Sequence, residues 1–431
     1  MQPFLYILPR ILAGQAIFSV SLTDFSQCLR FSMRFAGIIA EYDPFHNGHA
    51  WQLAQARALG ARQVAVAMSC SLTQRGAVPL LPEAVRVQAA LRCGADFIFA
   101  LPAPCACAGA EAFARAGVRL LAAAGCDALV FGAETPDTAL LMDAARVLAS
   151  EEYRAALKAQ LAAGARSFAA ARQAAVETLR PGSALAALLD QPNNNLAVEY
   201  CKAILELDVP LTPIPLPRQG ANHGEALNGN VQFASASALR ALWTQQGVEA
   251  LRPYVPEAVF PLYQEAAAAG SSTDFSAAGR CELALLRARC TGKTPFANVR
   301  GVSEGLEHRL KKAVRASTTL DELLNTLTTI RYPRARMRRL AMDAALGYTE
   351  EAFPALPPYL HLLGARRELL GQLKQAALPA SHSLMRLQEE NAACARMVQA
   401  QLTASDFAAF CRAKPRPMGG ALRQKIIFLT I

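Results

Sequence analysis

Four short apolar runs punctuate the first third of the chain, at 35–40 (FAGIIA), 63–68 (QVAVAM), 96–100 (DFIFA) and 128–131 (ALVF). Each is too short for a stable helix and too evenly apolar for a strand with one wet face. Segments of helical length lie between them, at 48–59, 81–93 and 111–124. A strand that is apolar on both faces has to be covered on both, and strands joined through a helix pair in parallel. The pattern predicts an α/β fold, a Rossmann-like doubly wound parallel sheet. Further helices are expected within 138–179 and at 196–206 and 235–243. The stretch VPLTPIPLP at 209–217 is expected to be extended, because prolines this dense exclude a helix. Beyond about residue 245 the strand signal fades, and helices are expected at 281–289, 305–316, 320–327, 335–346 and 384–402. The expected division is a sheet domain over 33–245 and a mostly α-helical region over 246–431.

Composition narrows the class. With 53% hydrophobic and 18% charged residues the chain is not disordered. The mean hydropathy of +0.18 reflects alanine, and no run approaches the roughly 18 apolar residues that span a bilayer. A cytoplasmic, membrane-free protein is expected. The eleven cysteines form no framework. Cys105 and Cys107 make a C-x-C without a second half, so no structural metal site is expected, and the odd count suits a reducing compartment. Residues 1–32 resemble a signal peptide poorly: Arg10 is the one early positive charge and no clean small-x-small site follows. They are expected to be a poorly ordered, non-native extension ahead of a natural start at Met33.

The chemistry concentrates in Glu41-Tyr42-Asp43-Pro44-Phe45-His46-Asn47-Gly48-His49, between the first expected strand and its helix. Open sheets bind ligands at the carboxyl ends of their strands, and a helix N-terminus offers free N–H groups and a positive dipole end to phosphate. Gly48 lets a nucleotide approach the backbone. His46 and His49 can each offer an N–H to phosphate oxygens that gain charge during in-line displacement. A bare H-x-G-H recurs by chance; its position after a buried strand and Pro-Phe makes it informative. The reaction expected is attack on the α-phosphate of a nucleoside triphosphate with release of pyrophosphate. A second element, Ser235-Ala236-Ser237-Ala238-Leu239-Arg240, reads as two hydroxyls and an arginine at a helix start. That is a β/γ-phosphate clamp, or an ordinary serine N-cap with a surface arginine.

The segments GIIAEYDPFHNGH, MSCSLTQRG, FGAE, QPNNNLAVEYCKAI, PLPRQG and SASALR occur in this order, and with them the chain resembles the bacterial tRNA(Met) cytidine acetate ligases of the H-x-G-H nucleotidylyltransferase superfamily. The resemblance covers nearly all of 34–375 and is looser to the end. It implies activation of acetate by ATP to acetyl-adenylate, then transfer of the acetyl group to N4 of the wobble cytidine of elongator tRNA(Met), giving N4-acetylcytidine. It also implies ATP contacts from Ile39, Ala40, Glu41, Tyr42, Asp43, Pro44, Phe45, His46, Asn47, Gly48, His49, Ala50, Trp51 and Gln52, and from Gly132, Asn193 and Arg218. Ser235, Ser237 and Arg240 match the superfamily's phosphate-end motif. His46, His49 and Arg240 are the expected catalytic residues, with Mg2+ accompanying ATP. Without the resemblance, Gly132 would read as a strand-end turn and Asn193 as a helix cap.

Three departures stand out. Asp43 replaces the family's Asn before Pro-Phe, adding negative charge beside a triphosphate site. Cys70 replaces a glycine in M-S-G-S. The family's Q-R-G-E-P becomes Gln74-Arg75-Gly76-Ala77-Val78-Pro79, without its acid.

The formal charge of +10 is unevenly placed. Arg331, Arg334, Arg336, Arg338 and Arg339 fall within nine residues around Tyr332, and Arg309, Lys311, Lys312 and Arg315 load one expected helix. An aromatic among arginines suits RNA, with a base on the ring and guanidiniums on phosphates; a solvated basic face is the plainer alternative. Lys311, Lys312, Arg331, Arg334, Arg336, Arg338 and Arg339 are the expected tRNA contacts. A small-molecule adenylyltransferase using the same H-x-G-H site stays open as the other enzymatic reading, though it has little need of a basic helical region.

Overall fold

The structure, a computed structural model, describes residues 33–218, 233–303 and 305–429. The expectation for residues 1–32 lies outside the described residues. Eight strands form one sheet: β1 Phe35–Ala40, β2 Gln63–Ser69, β3 Phe97–Leu101, β4 Ala128–Ala133, β5 Thr212–Pro217, β6 Leu360–Arg366, β7 Ala380–Ser381 and β8 Ile427–Leu429. Their order is β5-β4-β1-β2-β3-β6-β7, with β8 also paired to β6. β1 to β5 are mutually parallel. β1 is central, in register with β2 from Phe35–Gln63 to Ala40–Met68.

The helices of eight or more residues are α1 Asn47–Ala58, α2 Glu83–Arg92, α3 Ala110–Ala123, α4 Thr138–Ala149, α5 Glu151–Ala162, α6 Phe168–Leu179, α7 Pro192–Glu206, α8 Ala236–Gln246, α9 Phe260–Ala268, α10 Phe275–Arg289, α11 Leu306–Ala316, α12 Leu320–Leu327, α13 Arg334–Leu346 and α14 Ala392–Phe410. They cover the sheet on both faces because strand side chains alternate. Val64, Val66 and Met68 enter one apolar layer with Ile38, Leu53 and Tyr263. Ala65 and Ala67 enter the other with Phe97, Phe99, Leu121 and Phe131. Residues 283–345 build a third apolar cluster of their own, around Leu286, Phe296, Leu310 and Met337.

One segment is extended as expected, and one region differs in part. The proline-rich stretch pairs with β4 as β5, at an edge of the sheet, where a strand can dispense with half of its N–H donors. The region after residue 245 is mostly helical, yet it also returns three strands, with β6 antiparallel to β3. LHLLGAR is as apolar as the early strands. It goes unnoticed in sequence because no neighbouring strand–helix alternation announces it.

The carboxyl ends of β1 and β2 are tied together by a buried cation. Arg86 of α2 has no exposed surface. Its guanidinium donates to the carbonyls of Glu41 (2.8 Å), Ser69 (2.7 Å), Leu81 (3.2 Å) and Cys70. Arg86→Met fills the volume but strands these acceptors, each costing about 1–3 kcal/mol when left unpaired in a dry interior. The expected loss is at least about 3 kcal/mol in urea denaturation, and a variant within 1 kcal/mol of wild type contradicts this role.

Candidate active site

The loop between β1 and α1 is folded by its own motif. Tyr42 takes a left-handed backbone (φ 51°) and Asp43–Pro44 is cis. Phe45 is buried, and its carbonyl accepts the Tyr263 hydroxyl at 2.7 Å. Asn47 Nδ2 donates to Pro253 O at 3.2 Å. Tyr42 packs edge-on against both Phe45 and His49, with 4.8 Å between ring centroids in each pair. The turn is thus seated from the sheet side by aromatics and from outside by residues after 250.

His46 caps α1. Its Nδ1 accepts the Gly48 N–H at 3.1 Å, while His49 Nδ1 accepts the His46 N–H at 3.3 Å. The two rings stack at 3.8 Å. An Nδ1 that accepts carries no proton, so each neutral imidazole holds its proton on Nε2 and can donate it. Burial, followed by the Arg218 charge, lowers the His46 pKa to about 4. Burial, then His46 and Arg218, holds His49 well below its usual value. Both rings are neutral donors at pH 7. A Cβ on Gly48 would sit 2.9 Å from the His46 ring, so glycine is required there for the capping geometry.

These rings open into a cavity of about 580 Å³ at the carboxyl edge of the sheet. Of the expected ATP residues, Ile39, Ala40, Glu41, Tyr42, Asp43, His46, Gly48, His49, Trp51, Gln52, Gly132, Asn193, Arg218 and Ser235 line it. Pro44, Phe45, Asn47, Ala50, Ser237 and Arg240 do not. Gly132 has open space where a Cβ would stand. Asn193 donates through its backbone N–H (3.1 Å) and its amide to Glu134, whose carboxylate also takes the Asn194 N–H. Glu134 thereby closes the N-terminus of α7 to an outside anion. Ser235 is the N-cap of α8, accepting from Ala238 at 3.3 Å, with its hydroxyl 3.1 Å from that of Ser237.

Arg240 meets a geometry other than the expected clamp. Its guanidinium donates to Asp43 O (2.6 Å) and to the Asp43 carboxylate (3.1 Å), whose other oxygen accepts the Leu80 N–H at 2.6 Å. The same contacts bury the Asp43 charge and pair it with Arg240 at the wall of the cavity. Cys70 is also buried, with Sγ directed at Met68 O and near Gln401, away from the cavity.

The expected tRNA residues separate. Lys312, Arg331 and Arg334 are exposed, and Arg334 pairs with Asp321. Lys311 donates to the carbonyls of Gly292 and Lys293. Arg336 reaches Ser303 Oγ at 3.2 Å. Arg338 is held by the buried Glu282. Arg339 lines the cavity instead. Tyr332 is only 8% exposed, and Arg331 and Arg336 stand over its ring, so it is a core residue and not a platform for a base. Gln74, Arg75, Ala110, Phe113, Phe131, Tyr200 and Leu216 also line the cavity. Gln74 and Arg75 were legible in the Q-R-G segment; the rest carry no signal apart from hydrophobicity.

A largely parallel sheet with a histidine loop facing a cavity at its carboxyl edge is the arrangement of a nucleotide-binding α/β protein. Residues 33–420 match the model of the HIGH nucleotidyl transferase family. The tRNA(Met) cytidine acetate ligase of Thermoanaerobacter sp. (strain X514) is 32% identical over 356 residues, 80% of this chain and 86% of that protein. That of Acetivibrio thermocellus is 30% identical over 421 residues, 92% of this chain and all of that protein. The crystal structure of Thermotoga maritima TmcAL bound with alpha-thio ATP superposes with a TM-score of 0.83 at 26% identity, covering 92% of this chain and all of that one; the apo form gives 0.85. The chain belongs to the HIGH nucleotidyl transferase family and, within it, to the tRNA(Met) cytidine acetate ligases.

The histidine shifts set a sign for stability. Between pH 6.5 and about 4 the unfolded chain binds a proton that the folded His46 refuses, so stability is lost as pH falls through this window. His49, lowered further, adds in the same direction. Urea denaturation at pH 7 and pH 4.5 is expected to show a smaller acid loss in the H46N/H49N double variant than in wild type, by on the order of 2 kcal/mol. Equal losses contradict the assignment of neutral rings.

Proposed function

We propose that this chain activates acetate with ATP to acetyl-adenylate and transfers the acetyl group to N4 of the wobble cytidine of elongator tRNA(Met). The observation that carries the reading is the pair of stacked imidazoles, each held by a backbone N–H on Nδ1 and left with an Nε2 donor over the cavity. Adenine lies toward Gly132 and Asn193, and the phosphates toward the histidines, Arg218 and Ser235. A carboxylate oxygen of acetate attacks the α-phosphorus as the bond to pyrophosphate breaks. His46 and His49 donate to the oxygens that gain charge, and Arg218 neutralises the polyphosphate. Arg240 acts through Asp43 by holding the loop.

Among the described residues no group of three His, Cys, Asp or Glu side chains could hold a metal ion. Mg2+ arriving with ATP would take most of its ligands from phosphate oxygens and water, with at most one or two carboxylates. Residues 33–245 form the ATP-binding part in this reading, and the basic helices after 246 meet tRNA through Lys312, Arg331 and their neighbours. No helix among the described residues is long and apolar enough to cross a membrane.

The test is incubation with ATP, labelled acetate and separate tRNAs. Label is expected as N4-acetylcytidine in elongator tRNA(Met), and binding is expected to weaken steeply with salt. His46→Ala is expected to lower acetate-dependent ATP–pyrophosphate exchange by roughly two to three orders of magnitude. Label confined to a small molecule replaces tRNA as acceptor, and unchanged exchange removes His46 from the chemistry.

A further inference from the structure

The half-buried Arg172, Arg240, Arg300 and Arg338 are matched to Glu199, Asp43, Asp343 and Glu282, and the buried Arg86 and Arg412 are satisfied by carbonyls instead. Among the described residues, the three guanidiniums lining the cavity, Arg75, Arg218 and Arg339, have no ion pair. Arg339 is the most telling. It is half-buried on α13, and its one hydrogen bond is a long one, 3.4 Å, to Gln74 O. Burial also lowers its pKa. The nearby Asp343 carboxylate is taken by both arms of Arg300, at 2.8 and 2.9 Å. A shielded cation without a counter-ion is costly, and its cost is relieved by an anionic ligand.

These cations stand at two places. Arg218 follows β5, whereas Arg75 follows β2. Three strand spacings separate those strands in the sheet order, about 14 Å. ATP is assigned to the β4–β5 side, with Gly132, Asn193, Arg218 and Ser235, and Arg75 and Arg339 line the same cavity at the turn that follows β2. Their corner is built for close approach. Gly76 has φ +78°, and a Cβ there would lie 3.1 Å from the Arg339 backbone. That packing brings α13 against the Gln74 turn. Gln74 Nε2 holds Ala108 O at 3.0 Å, fixing the turn to the entry of α3. The Glu41 carboxylate accepts the Gln74 backbone N–H, and burial pushes its pKa up. Ala110, Phe113 and Ala335 add apolar wall.

We propose that Arg339 and Arg75 bind the carboxylate of acetate, with its methyl group against Ala110 and Phe113. This assignment rests on the proposed acetate activation. It places the nucleophile on the side of the α-phosphate away from Arg218, as in-line displacement requires. It also makes a helix of the basic region one wall of the activation site.

The test is acetate-dependent ATP–pyrophosphate exchange without tRNA, in wild type, R339Q, R339K and R75Q, with melting temperatures recorded. R339Q and R75Q are each expected to raise the KM for acetate about tenfold or more, the scale of a charge-assisted hydrogen bond, with the KM for ATP within about twofold. R339K is expected to recover part of the loss. An unchanged acetate KM in both glutamine variants overturns the assignment; the same variants are then assayed for tRNA acetylation, where a rise confined to the KM for tRNA gives these guanidiniums to RNA. A wild type without acetate-dependent exchange removes the activation reading, and this assignment with it.

Discussion

Everything proposed for the cavity depends on where two loops leave the sheet, and a single buried guanidinium sets both departures. Arg86 joins the last carbonyl of β1's exit, Glu41 O, to Ser69 O and Cys70 O at the end of β2. A cation among carbonyls takes several acceptors in a fixed plane, a geometry that water or a lysine ammonium cannot hold as rigidly. The histidine turn follows on one side, and the Gln74–Gly76 turn on the other. Without that tie, the Nε2 donors of His46 and His49 and the cations of Arg75 and Arg339 have no fixed relation.

Around that tie, charge is distributed by pairing. Asp43 and Arg240 satisfy each other beneath the histidine turn, and Glu134 closes the start of α7. These contacts remove anions and cations that would compete for a polyphosphate. Arg75, Arg218 and Arg339 line the cavity with no ion pair among the described residues, and the histidines are held neutral by shielding and by Arg218. The site is thus prearranged for negative charge at two ends, with uncharged donors between them, so little reorganisation is needed as charge develops.

Much of this was legible in the residues. The runs at 35–40, 63–68, 96–100 and 128–131 are apolar on both faces, which is the signature of a covered parallel strand, and they become β1 to β4 within a residue or two. The histidine turn was legible because Pro, Asn-Gly and His mark both a turn and a chemistry. Two kinds of feature were not. β6 lies more than 250 residues beyond its partner β3, and long-range pairing leaves no local periodicity. The fate of each charge was likewise hidden: composition cannot tell Arg338, held on the buried Glu282, from Arg339, the next residue of the same basic run, which lines the cavity. Tyr332 shows the same limit, since arginines around an aromatic look alike whether the ring is open or packed.

Attack on the α-phosphorus by acetate, at a site complete without RNA, is the step on which the proposed mechanism turns. It is tested most directly by mixing protein, ATP and carbon-13 acetate in the absence of tRNA and resolving the bound products by mass spectrometry. The expected result is labelled acetyl-adenylate with pyrophosphate released. Labelled acetyl phosphate with ADP, or no acyl product until tRNA is added, would contradict it.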